Sequence, residues 1–290
     1  MEPLRELQQI LPSFALDLLR LSIWLLLLMV IFVPLERLCA AHPQKVLRKG
    51  LATDLAYYFI SSLLPKMILV LPMTLIAWGL QRLIPAALQL HAVNLPLWGR
   101  FAAALVVGEF GFYWGHRWSH QVPFLWRFHA IHHSAEELDW LVNTRAHPLD
   151  IVFVRLCGFV PMYALGLAQP MIGNRVDLVP LLIMLVGTVW GFFIHANVNW
   201  RFGWLEWLIS TPAFHHWHHT NDEHINKNYA SMLPWMDLLF GTCHVPTKCW
   251  PTRYGINAPT SPFLVGQLVQ PMKPSERVHV LAGNLKSTTS

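Results

Sequence analysis

The chain has 290 residues, of which 54% are hydrophobic and 13% are charged. Ordinary soluble domains have roughly a quarter of their residues charged, so this composition excludes a typical soluble domain. The apolar residues gather in runs long enough to cross a bilayer, which indicates a membrane protein with several spans. The net charge of +5 does not indicate nucleic-acid binding, because the basic residues flank apolar runs instead of forming a block.

Five apolar runs predict the membrane helices of an all-α fold, of which four or five cross the bilayer. The first run is too long for the apolar part of a signal peptide. The second contains Pro65, Lys66 and Pro72, so it is predicted to be one kinked span or two shorter pieces. The runs cover residues 14–38, 55–80, 97 to about 114, 149–168 and 176–194.

Charge predicts the orientation of these spans, since loops rich in Lys and Arg stay on the cytoplasmic side. Four basic residues lie in the first connection: Arg37, Lys45, Arg48 and Lys49. Counting spans from there places His116, His195 and the chain after Trp200 on the cytoplasmic side. The sequence therefore predicts a polytopic membrane protein with a cytoplasmic helical cap.

Half of the sixteen histidines lie in three boxes that follow the third and fifth apolar runs. On a helix, residues three or four apart share a face, so the histidines of each box are predicted to point the same way. His216 points elsewhere on such a helix and is left out of the set. The boxes are His116 and His120; His129, His132 and His133; and His215, His218 and His219.

Eight imidazoles exceed the coordination shell of one zinc ion, so two metal ions are predicted. Imidazole suits iron, zinc, copper and nickel, and the residues alone leave that choice open. No HExxH motif is present, which excludes the commonest zinc-protease pattern. Glu109 lies in the third run about two turns before His116, and it is predicted to be a functional acid that supports a ligand.

Six segments, taken in order, resemble those of a known family, the fatty acid hydroxylase and sterol desaturase superfamily of integral membrane di-iron oxygenases. They are YWGHRWSH (113–120), LWRFHAIHHS (125–134), NTRAHPLD (143–150), IHANVNW (194–200), TPAFHHWHH (211–219) and NYASMLPWMDLLFGT (228–242). The resemblance implies two iron ions, with zinc as an alternative occupant in purified protein. It also implies that the eight box histidines and His195 are metal ligands, and that His147 is a ligand or a supporting residue. Alternatively, His147 simply marks the start of a helix before Pro148.

The resemblance further implies an oxidoreductase that uses O₂ to hydroxylate or desaturate a lipid taken from the bilayer. The sequence leaves open the lipid, which could be a fatty acyl chain, a sterol-like ring, an ether lipid or a carotenoid. The chain has no dinucleotide fingerprint, no haem-attachment motif and no cysteine quartet, so a separate electron-donor protein is expected. Two rival functions are a membrane metal transporter and a zinc-dependent membrane hydrolase.

The predicted organisation has three parts. Residues 1–100 form the N-terminal membrane helices and their connections, and residues 101–245 form the catalytic region with the histidine boxes. Residues 246–290 form a C-terminal cytoplasmic tail.

Overall fold

The structure is a computed structural model that describes residues 12–169, 171–172, 174–246 and 249–273. Residues 274–290 of the predicted cytoplasmic tail lie outside the described residues. The regular secondary structure of the described residues is helical apart from one short antiparallel hairpin, formed by β1 (Met171–Ile172) and β2 (Arg175–Val176), and an isolated bridge between Thr220 and Tyr254. The all-α class is therefore confirmed.

Ten α-helices are present in the described residues, joined by short 3₁₀ turns. They are α1 (Ser13–Leu38), α2 (Leu51–Leu83), α3 (Ala86–Val93), α4 (Leu97–Gln121), α5 (Pro123–His129), α6 (Pro148–Ala164), α7 (Leu178–His195), α8 (Pro212–His218), α9 (Trp235–Leu239) and α10 (Leu264–Val269). The 3₁₀ turns are His132–Ser134, Trp140–Thr144, Gly203–Trp207, Glu223–Asn226 and Gln270–Met272.

Among the described helices, α1, α2 and α7 are long and apolar enough to cross a membrane. They correspond to the first, second and fifth predicted runs. Helix α2 is one helix of 33 residues that contains Pro65 and Pro72, so the second run is not divided into two pieces. The third and fourth runs form α4 and α6, which are also helical. Helix α6 has 17 residues, and α4 carries charged side chains along its length.

Helices α4 and α6 pack backbone to backbone through small residues. A Cβ atom added at Gly111 would lie 2.1 Å from the carbonyl oxygen of Cys157, and one at Gly115 would lie 2.9 Å from the Cys157 Cβ. On the other helix, a Cβ at Gly158 would lie 2.3 Å from the Phe112 ring. Small residues of this kind allow helix backbones to approach closely. The end of α4, which carries the first histidine box, is thereby held against α6.

A buried network of two arginines and two aspartates joins the start of α2 to the turn Trp140–Thr144. The Arg48 guanidinium donates to both carboxylate oxygens of Asp139, at 2.6 and 2.7 Å. It also lies 2.7 Å from Asp54, whose second oxygen accepts from Arg145 Nε at 2.5 Å. Because each cation has a carboxylate partner, the charges compensate one another in the interior. Arg48 is therefore a buried residue that stabilises the fold, whereas the sequence predicted it as one of four basic residues that place the first connection on the cytoplasmic side.

Substitution of Gly111 by alanine tests the close approach of α4 and α6. We expect Gly111→Ala to lower the free energy of unfolding by about 1–3 kcal/mol or more, because the methyl group overlaps the Cys157 carbonyl. The matched control is Gly187→Ala in α7, where no atom lies within 4 Å of the added Cβ. This control should be neutral or stabilising, since alanine favours a helix over glycine. Equal thermal unfolding midpoints for the two variants in detergent would contradict the proposed contact.

Candidate metal centre

Nine histidines form two adjoining groups, and in each group one ring nitrogen from every member lies within 4.8 Å of the others. The first group has five members and the second has four. All nine histidines predicted as ligands are included. The first group is His116, His120, His129, His133 and His218, and the second is His132, His195, His215 and His219.

The second and third boxes each divide between the two groups, although helical spacing predicted one shared face per box. His129 ends α5, and His132 lies in a separate 3₁₀ turn, so no continuous helix joins them. In the third box, His218 is the last residue of α8, while His215 and His219 reach the second group. The chain path between and beyond the short helices thus allows each box to contribute to both groups.

Backbone carbonyls fix the orientation of four of these rings. The Nδ1 atoms of His116, His132, His195 and His218 lie 2.7–3.0 Å from the carbonyl oxygens of Tyr229, Arg145, Gly191 and Lys227, respectively. A carbonyl only accepts, so each Nδ1 carries the hydrogen and each Nε2 keeps its lone pair. Such an outer hydrogen bond is typical of a histidine that binds a metal through its other nitrogen.

A carboxylate orients a fifth ring. Asp150, in the first turn of α6, accepts from His129 Nδ1 at 2.9 Å and from Ser119 Oγ at 3.2 Å. Asp150 was not among the predicted site residues, because nothing in the local spacing connects it to His129. Its place in the NTRAHPLD segment, at the start of a helix, was the one available signal.

The Nε2 atoms converge at distances that suit a cation. His116 Nε2 lies 3.1 Å from His129 Nε2, and His195 Nε2 lies 3.3 Å from His132 Nε2. In the second pair both hydrogens are on Nδ1, so the facing Nε2 atoms of His195 and His132 are two lone pairs that repel one another. A metal bound about 2.1 Å from two nitrogens at a right angle separates them by about 3 Å. The distance between His195 and His132 therefore fits a bound metal and does not fit a hydrogen bond.

His195 is the centre of the second group. Its Nε2 also lies 3.0 Å from that of His215 and 3.2 Å from that of His219. In the first group, both ring nitrogens of His120 and of His133 are buried without a hydrogen-bond partner in the described protein. Buried polar atoms are otherwise almost always paired, and a metal ion would give each of these rings a partner for one of its nitrogens.

The surroundings keep five of these rings neutral. Burial, followed by repulsion from neighbouring imidazoles, lowers the pKa of His133 and His219 well below 6.5. Burial has the same effect on the pKa of His132, His215 and His218. Neutral imidazole is the form that binds metals, so the donors are ready at physiological pH.

Glu109 and His147 lie outside both groups. The Glu109 carboxylate accepts from the Ser231 hydroxyl and from the amides of Met232 and Leu233, at 2.7–3.2 Å. It thereby holds the segment that follows Tyr229, whose carbonyl orients His116. His147 caps α6: its Nδ1 accepts from the Leu149 amide at 3.2 Å, and its Nε2 donates to the Leu268 carbonyl at 3.1 Å.

Removal of the Asp150 carboxylate tests how far the outer hydrogen bonds set metal affinity. We expect Asp150→Ala to weaken metal binding by about 10–100-fold, the usual effect of losing such a partner. Zinc competition against a chromophoric chelator measures this affinity. The control is Asp17→Ala, which removes an exposed partner of Lys66 far along the chain from the histidines. The same zinc affinity in both variants would contradict the role given to Asp150.

Comparison with known proteins gives a consistent family. Residues 101–242, which include all nine histidines, match the fatty acid hydroxylase family model. The ornithine lipid hydroxylase OlsE of Rhizobium tropici is 36% identical over 188 residues, which cover 64% of this chain and 54% of that protein. The alkylglycerol monooxygenase of Homo sapiens is 31% identical over 181 residues, covering 59% of this chain and 36% of that protein.

A third relative is methylsterol monooxygenase 2-2 of Arabidopsis thaliana, 29% identical over 156 residues that cover 51% of this chain and 55% of that protein. The chain thus spans between about a third and just over half of the length of these relatives. No solved structure gives a significant match. The resemblance to the fatty acid hydroxylase and sterol desaturase superfamily is confirmed by these matches.

Proposed function

We propose that this chain is a membrane-bound di-iron oxidoreductase acting on a lipid. The match of residues 101–242 to the fatty acid hydroxylase family supports this proposal. The chain would hydroxylate or desaturate that lipid with O₂ and with electrons from a separate protein. The observation that supports this proposal most directly is the two adjoining histidine groups. Their five and four imidazoles exceed the shell of a single ion and favour two redox metals.

The nine histidines are assigned as the ligands of these two ions. Iron bound in the groups would supply the activation of O₂ that attack on an unactivated C–H bond requires. The chain's own task is to hold the ligands and to exclude water. Of the nine histidines, eight are buried almost completely and His116 is partly covered. Glu109 and His147 act as supporting residues, through the Tyr229 segment and the start of α6.

A lipid substrate is supported by the position of the site. The membrane-length helix α7 ends at His195, which belongs to the second group. The metal centre therefore lies at one end of an apolar helix, where an acyl chain or a sterol-like ring reaches it without leaving the bilayer. The three relatives named above are hydroxylases or monooxygenases of lipids by their names.

The zinc-hydrolase alternative is supported less well. Zinc hydrolases of the HExxH kind use a glutamate as general base beside the metal-bound water. Among the described residues, neither histidine group includes a carboxylate. Asp150, which contacts His129, and Glu109 are both engaged in hydrogen bonds that hold the protein.

Loss of one ligand from either group should abolish activity. We expect His132→Ala and His218→Ala to lower lipid-dependent O₂ consumption by at least about 100-fold, and to lower bound iron from two ions per chain towards one. The control is His91→Ala, which removes an exposed histidine of α3. Iron analysis and O₂ uptake with a supplied reductase measure the two effects. A wild-type chain that holds a single zinc and gains no activity with iron would refute the di-iron proposal.

The metal centre is also proposed to face the cytoplasm. With Arg48 buried, the exposed Arg37, Lys45 and Lys49 still give the first connection a positive charge. Single cysteines in a background without Cys39, Cys157, Cys243 and Cys249 test this orientation. We expect Lys45→Cys and Glu223→Cys to resist an impermeant thiol reagent on intact cells, and Leu83→Cys to react. All three should react after permeabilisation, and labelling of Glu223→Cys on intact cells would contradict the proposed side.

A further inference from the structure

His216 lies between metal-group histidines in sequence but takes no part in either group. It is fully buried, and its ring contacts two protein groups instead. Its Nε2 lies 3.0 Å from the carbonyl oxygen of Ala196, and its Nδ1 lies 2.7 Å from the hydroxyl of Tyr254. Both nitrogens are therefore already paired without a metal.

The direction of these two hydrogen bonds follows from their partners. The Ala196 carbonyl can only accept, so His216 Nε2 carries the hydrogen of the neutral ring. His216 Nδ1 is then an acceptor, and the Tyr254 hydroxyl must donate to it. The three residues form one directed chain, from the Tyr254 hydroxyl through the His216 ring to the Ala196 carbonyl.

Ala196 follows His195, the centre of the second histidine group. Helix α7 ends at His195, and the Ala196 backbone has already left the helical conformation (φ −59°, ψ 137°). Its carbonyl accepts from His216 and from the Val198 amide at 2.8 Å. His216 thus contacts the peptide that joins Ala196 to Asn197, one residue beyond His195, and the amide of this peptide also donates to Glu36 at 2.9 Å.

Tyr254 is held over His216 by the segment 249–257. The Asn221 amide donates to the Arg253 carbonyl at 2.9 Å, and Thr220 pairs with Tyr254 as an antiparallel bridge. The Trp250 ring covers His216 at a centroid distance of 5.2 Å. Tyr254 lies beyond the family match, which ends at residue 242. The segment after that match therefore reaches back to the third box.

We propose that Tyr254 and His216 are positioning residues that set the orientation of His195, and through it the metal affinity of the second histidine group. The inference rests on the proposed two-metal centre. His215 and His216 have different roles in this arrangement. His215 directs its ring into the second histidine group, whereas His216 links the chain that carries His195 to the third box. The first histidine group does not include His195, so its metal should not depend on this contact.

Metal titration of the purified chain tests the inference without an activity assay. Wild-type protein titrated with Co²⁺ should bind two ions, and the visible spectrum should report both sites. We expect Tyr254→Phe and His216→Leu to lower the affinity for one of the two Co²⁺ ions by about 10–100-fold and to change the spectrum of that ion. The affinity for the other ion should stay unchanged. His216→Gln should retain most of the affinity, because its amide can donate to Ala196 and accept from Tyr254.

The matched control is Tyr58→Phe, which removes another tyrosine hydroxyl that donates to a carbonyl, that of Leu21 at 2.9 Å. It should lower the unfolding midpoint without changing either Co²⁺ affinity. Wild-type affinity at both sites in Tyr254→Phe would overturn the inference, as would an equal loss at both sites. Failure of the wild-type chain to bind two ions would instead overturn the proposed two-metal function on which the inference depends.

Discussion

The facing lone pairs of neutral imidazoles are the constraint on which the rest of this structure depends. Without a cation between them, the Nε2 atoms of His195 and His132 repel one another at 3.3 Å. The rings hold this arrangement because their outer nitrogens are fixed from behind by carbonyls or by Asp150. The geometry of the candidate metal site is therefore set by hydrogen bonds one layer outside it.

Those outer partners are themselves held by charge buried farther away. The carbonyl that orients His132 belongs to Arg145, whose side chain joins the Arg48, Asp54 and Asp139 network. The carbonyl that orients His116 belongs to Tyr229, whose amide donates to Asp237 at 2.8 Å. Among the described residues, the two histidine groups contain no carboxylate, and the acids lie in the layer around them. The inner layer supplies only nitrogen donors, and carboxylates in the outer layer stabilise the orientation of those donors.

The sequence predicted which histidines gather, but not how they divide. Spacing and family resemblance were sufficient to select all nine members. Helical periodicity failed for His129, His132 and His133, since it assumes a continuous helix and the chain turns between α5 and the next 3₁₀ turn. Asp150 and Tyr254 could not be found from local spacing, because their contacts join residues 21 and 38 positions apart in the chain. Arg48 shows a further limit: a cation at a helix start can signal orientation or fill an ion pair, and sequence does not separate the two.

The glycine contact between α4 and α6 has a consequence for the dimensions of the metal centre. His116 and His120 lie on α4 just beyond Gly111 and Gly115, while Asp150 stands at the start of α6 and reaches His129. The contact between the backbones of α4 and α6 therefore sets the distance between the histidines on α4 and Asp150 on α6. A single added methyl group at residue 111 would force the helices apart by on the order of 1 Å in a tightly packed interior. Any larger residue at position 111 would need a compensating change on α6 to restore the original distances between the residues of the site.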